Sequence, residues 1–436
     1  MSSQGFNQTE RLDVSVLKNR LEMDGSSALA PLKLHFIKVI GLDTSAMLAL
    51  NLRMTEIRAN YAAADIPMRV LVLSDHLGHA EGRVHGATTY FINTLPELGC
   101  RNIKLSVCFL RGNHPATAAL ESKGVKPIFL GRSKWDPRAL ADIIHIIRKE
   151  KIEVLHAAGM KGIILGRLAA RITGTAIIVH LHDTNPLDPV TRLIHKLTAR
   201  WTNAALCVSK AVAEYAGETL AIPHDKLHVL YNGVPFPDDD CISEQKRNEI
   251  LNGLSIQPNT RVVSVVGRLR SEKAQDRMIT AFPRLLKMFP NACLLLIGDG
   301  PDRYKLKSRV KTLNLEKNVV FAGHRNDLPE LLACTDVLAM PSEHEGLPYS
   351  VLEAMASGTP VVAFAVGGLP EIIHDNETGF LVKPGDFDDF VDRLYAVLTN
   401  RELAARLGAQ SLRRAQSFSV SAHVDELSEF YKSARQ

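Results

Sequence analysis

Residues 337–363 read VLAM PSEHEGLP YSVLEAMASG TPVVA, which is an apolar run, a polar loop, a helical stretch and a second apolar run. The two apolar runs, Val337–Met340 and Pro360–Ala363, have the continuous aliphatic character of strands that are buried on both faces. Pro348 suits the first turn of a helix, and Gly358 is typical of a helix end. The stretch therefore predicts a β–α–β unit whose two strands are parallel.

The same alternation of apolar strand and helix continues on both sides of this unit. Further runs predicted as strands are Arg69–Ser74, Lys104–Leu110, Val154–His156, Ala176–Leu181, Ala204–Val208, Arg261–Val266, Ala292–Ile297, Val319–Ala322 and Gly379–Val382. Strands of this kind separated by helices predict parallel sheets that are covered on both faces. Two such series in one chain predict an α/β protein with two doubly wound, Rossmann-like domains.

The boundary between the two series falls near Pro235–Ser243, where prolines and three aspartates interrupt the periodicity. The predicted parts are an N-terminal extension, a first domain, a second domain and a C-terminal helix, over residues 1–67, 68–240, 241–415 and 416–436. The extension carries the pattern of one strand and one amphipathic helix. It is interpreted as an extra β–α unit on the first domain or as a membrane or partner contact, although Asp43 and Glu56 weaken the membrane pattern.

The 436-residue chain carries a formal net charge of +5, with 46% hydrophobic and 23% charged residues. This composition is ordinary for a globular protein and excludes a disordered or collagen-like chain, and the net charge is too small to indicate nucleic-acid binding. The whole surplus lies in residues 1–240, with 28 basic and 23 acidic residues, whereas residues 241–436 have 24 of each. It represents either ordinary solvated side chains or a surface that attracts phosphates or an anionic membrane.

The six cysteines, at positions 100, 108, 207, 241, 293 and 334, form no Cys-x-x-Cys pair, and several lie in apolar runs. They are predicted to be buried thiols in a reducing compartment. The N-terminus has no signal-peptide pattern, and no apolar stretch reaches the length of about 18 residues that a membrane span needs. We therefore expect a cytoplasmic protein, and the basic surplus leaves contact with the inner face of the membrane open.

Strand ends of the second half carry residues suited to a ligand rich in phosphates and hydroxyls, and ligands bind at such ends in open α/β sheets. Arg268 and Lys273 follow the strand Arg261–Val266 and can hold a diphosphate, although an exposed basic loop is an equal interpretation. Glu345 lies in a loop and Glu353 lies in the next helix, with seven residues between them. Both carboxylates can accept hydrogen bonds from sugar hydroxyls, whereas a helix-dipole role would explain only Glu345.

Glycine motifs complete these strand ends. Gly367 and Gly368 precede a helix, where bare N–H groups can bind a phosphate, and Gly298 lies in a turn that ends a strand. In chain order the motifs are G-R-x(4)-K, G-D-G-P, E-G-x-P-x(4)-E-A-M-A-x-G-x-P-V-V and G-G-x-P-E. With this set of motifs, residues 68–436 resemble the group 1 (family four) retaining glycosyltransferases, whose GT-B fold has two Rossmann-like domains facing a cleft.

The resemblance implies a role for each matching residue in binding a nucleotide sugar. Arg268 and Lys273 would hold the donor diphosphate, Glu353 the ribose hydroxyls and Glu345 the hydroxyls of the donor sugar. The segment His324-Arg325 would line the base, and the N–H groups of Gly367, Gly368 and Leu369 would face the sugar or phosphate. The full predicted donor site is Gly86, Gly267, Arg268, Lys273, Gly298, His324, Arg325, Glu345, Gly346, Glu353, Gly367, Gly368 and Leu369.

The first domain matches the family more loosely. The family often has a Gly-Gly loop after its first strand, where this chain has His85-Gly86, so that Gly86 is the residue carried over. A cleft histidine is expected after Ala176–Leu181, where His182 fits better and His180 is the alternative. The predicted catalytic residues are His182, Arg268, Lys273 and Glu345.

The resemblance also implies the reaction, in which a hexose passes from a UDP- or GDP-linked donor to an acceptor with retention at the anomeric carbon. The acceptor would be a sugar, a lipid-linked molecule or another hydroxyl compound in polysaccharide or glycolipid assembly. No metal ion is expected, because Arg268 and Lys273 can neutralise the leaving diphosphate. No cofactor and no nucleic acid is expected either. The C-terminal helix is expected to return to the first domain. The alternatives are a nucleotide-sugar epimerase and an inactive GT-B binding protein.

Overall fold

The computed structural model describes residues 67–78, 86–133, 136–237 and 242–435, and within these ranges seven parallel strands form the first sheet. The strands are β1 Met68–Ser74, β2 Ile103–Phe109, β3 Ile128–Phe129, β4 Val154–Ala158, β5 Ala176–Leu181, β6 Ala204–Cys207 and β7 Leu227–Val229. Their order across the sheet is β3-β2-β1-β4-β5-β6-β7. The central strands β1 and β4 are almost wholly buried because helices cover both faces.

A second parallel sheet of six strands follows in the remaining described residues. Its strands are β8 Arg261–Val266, β9 Ala292–Ile297, β10 Val319–Gly323, β11 Val337–Met340, β12 Val361–Phe364 and β13 Phe380–Val382. The order is β10-β9-β8-β11-β12-β13, and β11 pairs with β12 in parallel, with Leu338 opposite Val361. The predicted fold class, two doubly wound Rossmann-like α/β domains, is confirmed.

Helices connect the strands and cover the sheets. Those of the first half are α1 Gly86–Leu98, α2 Thr117–Glu121, α3 Arg138–Glu150, α4 Met160–Thr173, α5 Pro189–Thr198 and α6 Lys210–Leu220. Those of the second half are α7 Glu244–Gly253, α8 Gln275–Met288, α9 Arg303–Thr312, α10 Leu328–Ala333, α11 Tyr349–Ala356, α12 Leu369–Ile372, α13 Phe387–Thr399, α14 Arg401–Ala415 and α15 Val420–Arg435. Side-chain caps fix several starts, as at α6, where the Ser209 hydroxyl accepts from the N–H of Val212.

The strand order of each sheet reverses once, and this reversal positions the functional loops. It falls between β1 and β4 in the first sheet and between β8 and β11 in the second. Successive connections leave such a point in opposite directions, which opens a crevice at the carboxyl ends of the strands. The loop after β8 begins at Gly267, and the loop after β11 contains Glu345. Both groups of predicted ligand-binding residues therefore lie where the strand order of the second sheet reverses.

One large buried apolar cluster contains residues of both halves, and residues 68–436 form one compact unit. Leu347 and Val351 of the second half belong to the same buried cluster as Val208 and Val212 of the first, and each of these side chains is at most 4% exposed. The loop that carries Glu345 is therefore held by packing from both sides.

The helix α15 lies against the first half of the chain, packed on α1. The Tyr431 hydroxyl is 2.5 Å from Nδ1 of His156, and Arg435 pairs with Glu153 at 2.8 Å. Just before the helix, the N–H of Val234 donates to the carbonyl of Phe418. These contacts tie the chain end to strand β4 and to the crossover into the second half.

Four of the cysteines are buried, namely Cys108, Cys207, Cys293 and Cys334, and burial raises the pKa of each thiol to about 11 or 12. The prediction of a buried thiol is wrong for Cys100, which is exposed because it lies in the turn that follows α1. The predictions for residues 1–66, His85 and Cys241 lie outside the described residues. None of the helices in the described ranges combines the length and apolar character that a membrane span requires.

Candidate functional site

The basic loop after β8 meets the acidic loop after β11 through an ion pair. Lys273, in the short 3₁₀ turn Ser271–Lys273, places Nζ 2.6 Å from Oε1 of Glu345. The Glu345 side chain is only 6% exposed and that of Lys273 is 24% exposed, so the pair is largely removed from water. The structure thus brings together two of the predicted catalytic residues, and Arg268, half-buried, precedes Lys273 in the same loop.

A second set of contacts ties the same two loops together at their outer edge. The N–H of Glu343 donates to the carbonyl of Glu272 at 2.9 Å, and Arg277 pairs with the Glu343 carboxylate at 2.6 Å. Because both loops are fixed to each other, Lys273 and Glu345 are held in position before any ligand arrives.

The Gly-Gly loop after β12 packs directly on the backbone of Glu345 and Gly346. Gly367 has a φ of +54°, and a Cβ added there would overlap the carbonyl oxygen of Glu345. The N–H of Gly368 donates to the carbonyl of Gly346 at 3.0 Å. Only glycine can occupy position 367, because any side chain would displace the acidic loop.

These contacts correct one prediction about the Gly-Gly loop. The N–H of Gly368 is used by Gly346, and the N–H of Leu369 donates to the carbonyl of Val366 at 3.1 Å. The prediction that three N–H groups face the donor is therefore wrong for these two, since the loop satisfies them itself. In the part of the chain that the structure describes, the N–H of Gly367 has no such internal acceptor.

The acidic loop also reaches the first sheet at the end of β5. A Cβ at Gly346 would overlap the carbonyl oxygen of His182 and lie 3.1 Å from Cα of Asp183. The two backbones approach this closely because position 346 has no side chain. The backbone of His182, at the end of β5, therefore lies directly against the loop that carries Glu345.

His182 is neutral at physiological pH, because burial lowers its pKa to about 4. Its ring lies 4.2 Å from that of His180 and 5.0 Å from that of Tyr90, measured between centroids. Its Nε2 has no hydrogen-bond partner among the described residues. Nε2 of His180 is likewise buried without a partner among the described residues, so this nitrogen does not distinguish the two histidines. A neutral imidazole can exchange hydrogen bonds but cannot act as a cation.

His180 belongs instead to the interior of the first domain. Its Nδ1 lies 3.2 Å from Nε2 of His156, whose other nitrogen bonds the Tyr431 hydroxyl. The His180 side chain is 1% exposed, and burial holds its pKa well below the usual range. This placement favours His182 as the cleft histidine.

Glu353 and Gly86 lie near the junction of helices α11 and α1. Burial raises the pKa of the Glu353 carboxyl to about 7. One turn earlier, Tyr349 is 7% exposed, and its Cδ2 would lie 3.6 Å from a Cβ added to Gly86. The start of α1 therefore approaches the start of α11, which places Gly86 on the wall facing the second domain.

The remaining predicted donor residues lie at the ends of β8, β9 and β10. The N–H of Gly267 donates to the carbonyl of Ile297, and the N–H of Gly298 donates to that of Gly323 at 2.8 Å. His324 is exposed. Arg325 forms a two-point ion pair with Asp327, with Nε 2.7 Å from Oδ1, so its charge is neutralised within its own loop.

Two family models match this chain in sequence. One, described as glycosyl transferases group 1, covers residues 246–414, and the other, described as glycosyltransferase family 4, covers residues 84–236. The chain belongs to the group 1 glycosyltransferases. The matched ranges contain the second and the first sheet respectively, apart from β1, so the family assignment rests on both halves of the molecule.

Characterised proteins similar to this glycosyltransferase include two bacterial enzymes. The UDP-Gal:alpha-D-GlcNAc-diphosphoundecaprenol alpha-1,3-galactosyltransferase of Escherichia coli is 27% identical over 68% of this chain and 79% of its own length. The N-acetyl-alpha-D-glucosaminyl L-malate synthase of Bacillus anthracis is 26% identical over 64% of this chain and 73% of its own length. The solved structure of Anabaena HepE with UDP-glucose has a TM-score of 0.74 at 23% identity and covers 84% of this chain and all of that one, which shows a shared fold.

Glu371 of this glycosyltransferase joins the two domains, a role that the sequence analysis missed. Its carboxylate accepts from the N–H of Lys210 at 2.9 Å, at the start of α6, and from the hydroxyl of Tyr231, just beyond β7, at 3.1 Å. Asn232 makes a parallel link, because its Nδ2 donates to the carbonyl of Leu347. Glu371 was visible as the last residue of the Gly-Gly-x-Pro-Glu motif, but no local pattern indicates a partner 161 residues away.

Asp75, just beyond β1, is a second residue that the sequence analysis missed. Its carboxylate accepts from the N–H of Gly162 at 2.5 Å and of Lys161 at 3.3 Å, at the start of α4. Burial raises the pKa of this carboxyl, and the two N–H groups oppose that effect. No motif surrounds Asp75, and its position at the strand reversal of the first sheet is the only signal that could have identified it.

Proposed function

We propose that this glycosyltransferase transfers a hexose from a UDP-linked donor with retention at the anomeric carbon. The observation that carries the proposal is the Lys273–Glu345 pair, whose acidic loop packs through its backbone against the Gly367 loop and against His182. A cation for a diphosphate lies there beside a carboxylate for sugar hydroxyls, at the strand ends where α/β domains bind ligands. The solved structure of HepE with UDP-glucose supports the choice of a UDP-linked donor.

The transfer step needs stabilisation of the leaving diphosphate more than it needs a strong base. The acceptor oxygen forms a bond to the anomeric carbon as the bond from that carbon to the diphosphate oxygen breaks. The acceptor proton passes to the departing diphosphate, on the same face of the sugar. Arg268, Lys273 and the N–H of Gly367 would stabilise the charge that develops there, which removes the need for a metal ion. Neutral His182 and Glu345 would hold the sugar by its hydroxyls.

For the acceptor, we propose a lipid-linked sugar. The Escherichia coli relative is named for a diphosphoundecaprenol-linked acceptor, and the surplus of basic residues in this chain lies in the first half, across the crevice from the donor loops. A basic acceptor side suits a substrate that carries its own phosphates.

A donor screen tests this function directly. UDP-glucose, UDP-galactose and their GDP- and ADP-linked counterparts are compared by thermal shift and by hydrolysis followed with proton NMR. We expect UDP-sugars to give the largest shift and the α-anomer of the sugar to appear first, with no change on addition of EDTA. The mechanism would be contradicted by an initial β-anomer, by a glycosyl–enzyme bond to a cleft carboxylate, or by loss of the rate on addition of EDTA. An epimerised UDP-sugar that forms without acceptor would indicate an epimerase.

Donor affinity is expected to rise with pH because of Glu353. Burial raises its pKa from 4.5 to about 7, and the ionised carboxylate accepts hydrogen bonds from the ribose hydroxyls more strongly than the protonated acid does. UDP binding measured by calorimetry should therefore tighten about tenfold between pH 6 and pH 8. The free energy of unfolding depends on pH in the opposite sense. Because the folded state binds the Glu353 proton more tightly than the unfolded state does, the stabilisation from this proton is lost as the pH rises from 4.5 to about 7.

The variant Glu353→Gln isolates this effect, because an amide does not titrate. It should bind UDP with an affinity that no longer rises between pH 6 and pH 8. Glu330→Gln, at an exposed position on α10, is the matched control and should keep the pH dependence of the unaltered protein. If Glu353→Gln retains the full rise, another group controls donor binding.

A further inference from the structure

Helix α5 presents a row of large apolar side chains to solvent. Val190, Leu193 and Leu197 are 66%, 56% and 63% exposed, and their spacing of three and four residues places them on one face. The opposite face is buried through His195 and Thr198. Exposed apolar residues that form a contiguous row, unlike single ones, mark a surface that contacts another protein or a membrane.

A row of cations runs beside the apolar row. Arg192, Lys196 and Arg200 recur every four residues and are exposed, and Arg171 at the end of the neighbouring helix α4 is exposed as well. Residues 189–201 contain no Asp or Glu. In the described ranges of the chain, none of these four cations has a carboxylate partner within 4.0 Å.

The helix is rigidly mounted, so these exposures are a fixed property of the fold. Arg167 on α4 is fully buried and donates from Nη1 to the carbonyl of His195 and to the Thr198 hydroxyl, both at 3.2 Å. Its Nε donates to the Thr202 hydroxyl just beyond the helix. This bonding fixes which face of α5 points outward.

The apolar row begins beside the crevice. The segment that leads from His182 to α5 is short, and the Tyr215 hydroxyl on α6 holds it by donating to the carbonyl of Asn185 at 2.8 Å. The first turn of α5 therefore lies at the same edge of the first sheet as His182, on the proposed acceptor side. A partner or membrane in contact with α5 would therefore lie next to the entrance of the crevice.

We propose that this surface, which we call the α5 surface, docks the enzyme on an anionic lipid bilayer. It consists of Ile172, Val190, Leu193 and Leu197 with Arg171, Arg192, Lys196 and Arg200. An apolar row flanked by cations matches the acyl boundary and the anionic headgroups of a membrane. The neighbouring carboxylate of Asp188 caps the start of α5, where it accepts from the N–H of Thr191 at 3.0 Å. The proposal rests on the lipid-linked acceptor proposed above, which would then enter the crevice from the membrane surface.

Vesicle sedimentation tests the α5 surface with the full-length protein. Binding is measured to vesicles of phosphatidylcholine alone and to vesicles with one third phosphatidylglycerol. We expect binding to the anionic vesicles that weakens with added salt. The double variant Leu193→Ser, Leu197→Ser should bind about a hundredfold less tightly, at about tenfold for each leucine. Arg192→Glu with Lys196→Glu should bind at least about tenfold less tightly.

A matched control comes from helix α9 of the second domain, where Tyr304 is 86% exposed and Lys311 is also exposed. Tyr304→Ser with Lys311→Glu should leave vesicle binding unchanged. The proposal fails if the unaltered protein ignores anionic vesicles or if the leucine variant binds them equally well. The same proteins are also sedimented without lipid. The proposal fails if the unaltered protein then self-associates and the only defect of the leucine variant is the loss of that self-association. Donor hydrolysis in solution should be equal in all variants, and its absence from the unaltered protein would instead contradict the proposed function.

Discussion

Replacing Lys273 with Ala is expected to lower kcat/KM for UDP-sugar turnover by about a thousandfold, because it removes a preorganised cation from the leaving diphosphate. A second effect adds to this loss. Glu345, 6% exposed, would remain buried without its partner and beside an incoming anion. Removing one member of such a pair costs about 3 kcal/mol of folding free energy, so the melting temperature should fall by several degrees.

The double variant Lys273→Ala, Glu345→Gln separates the two effects. It leaves no unpaired buried charge, so its melting temperature should return towards that of the unaltered protein while turnover stays low. Lys305→Ala is the matched control, because Lys305 pairs with Asp276 at 3.8 Å on the surface and should change neither property. Full turnover in Lys273→Ala, measured as hydrolysis of the UDP-sugar, would show that the donor diphosphate lies elsewhere.

The strands and their parallel pairing could be predicted from the sequence because their signal is local. The unit β11–α11–β12 shows this: buried parallel strands need continuous aliphatic residues, and a helix start and end have their own residue preferences. The residue types at the strand ends were also informative, since arginine and lysine suit phosphates and glutamate suits sugar hydroxyls. The catalytic assignment of Lys273 and Glu345 came from the family resemblance of these motifs, and it stays a prediction.

Contacts between the two domains could not be predicted, because they join loops that are distant in the chain and follow no period. Glu371 was visible only as the last residue of the Gly-Gly-x-Pro-Glu motif, yet it caps α6 of the other domain. The N–H of Gly368 looked available to a phosphate, yet the carbonyl of Gly346 takes it. In both cases a local pattern gave the chemical group correctly, while its partner depended on how the domains pack.

Replacing Gly367 with Ala is expected to reduce UDP-sugar turnover by at least about a hundredfold, although the change is a single methyl group outside the predicted catalytic set. The added Cβ would overlap the carbonyl oxygen of Glu345, which is backbone and cannot rotate away. Either the Gly-Gly loop or the acidic loop must move, and a displacement of about 1 Å at reacting groups can cost a hundredfold in rate. UDP affinity, measured by calorimetry, should change less, because Glu345 is assigned to the sugar and Glu353 to the ribose.

Part of any loss in Gly367→Ala would come from backbone strain alone, since φ is +54° at this position. Gly385→Ala controls for this strain: Gly385 has a φ of +86°, but an added Cβ there would meet no atom within 4 Å. Both variants should lose some thermal stability, and only Gly367→Ala should lose turnover. If the two variants keep equal turnover, the acidic loop tolerates displacement and Glu345 is not held in place by the Gly-Gly loop. If only Gly367→Ala fails, the close approach of the two backbones is what positions the Lys273–Glu345 pair for the donor sugar.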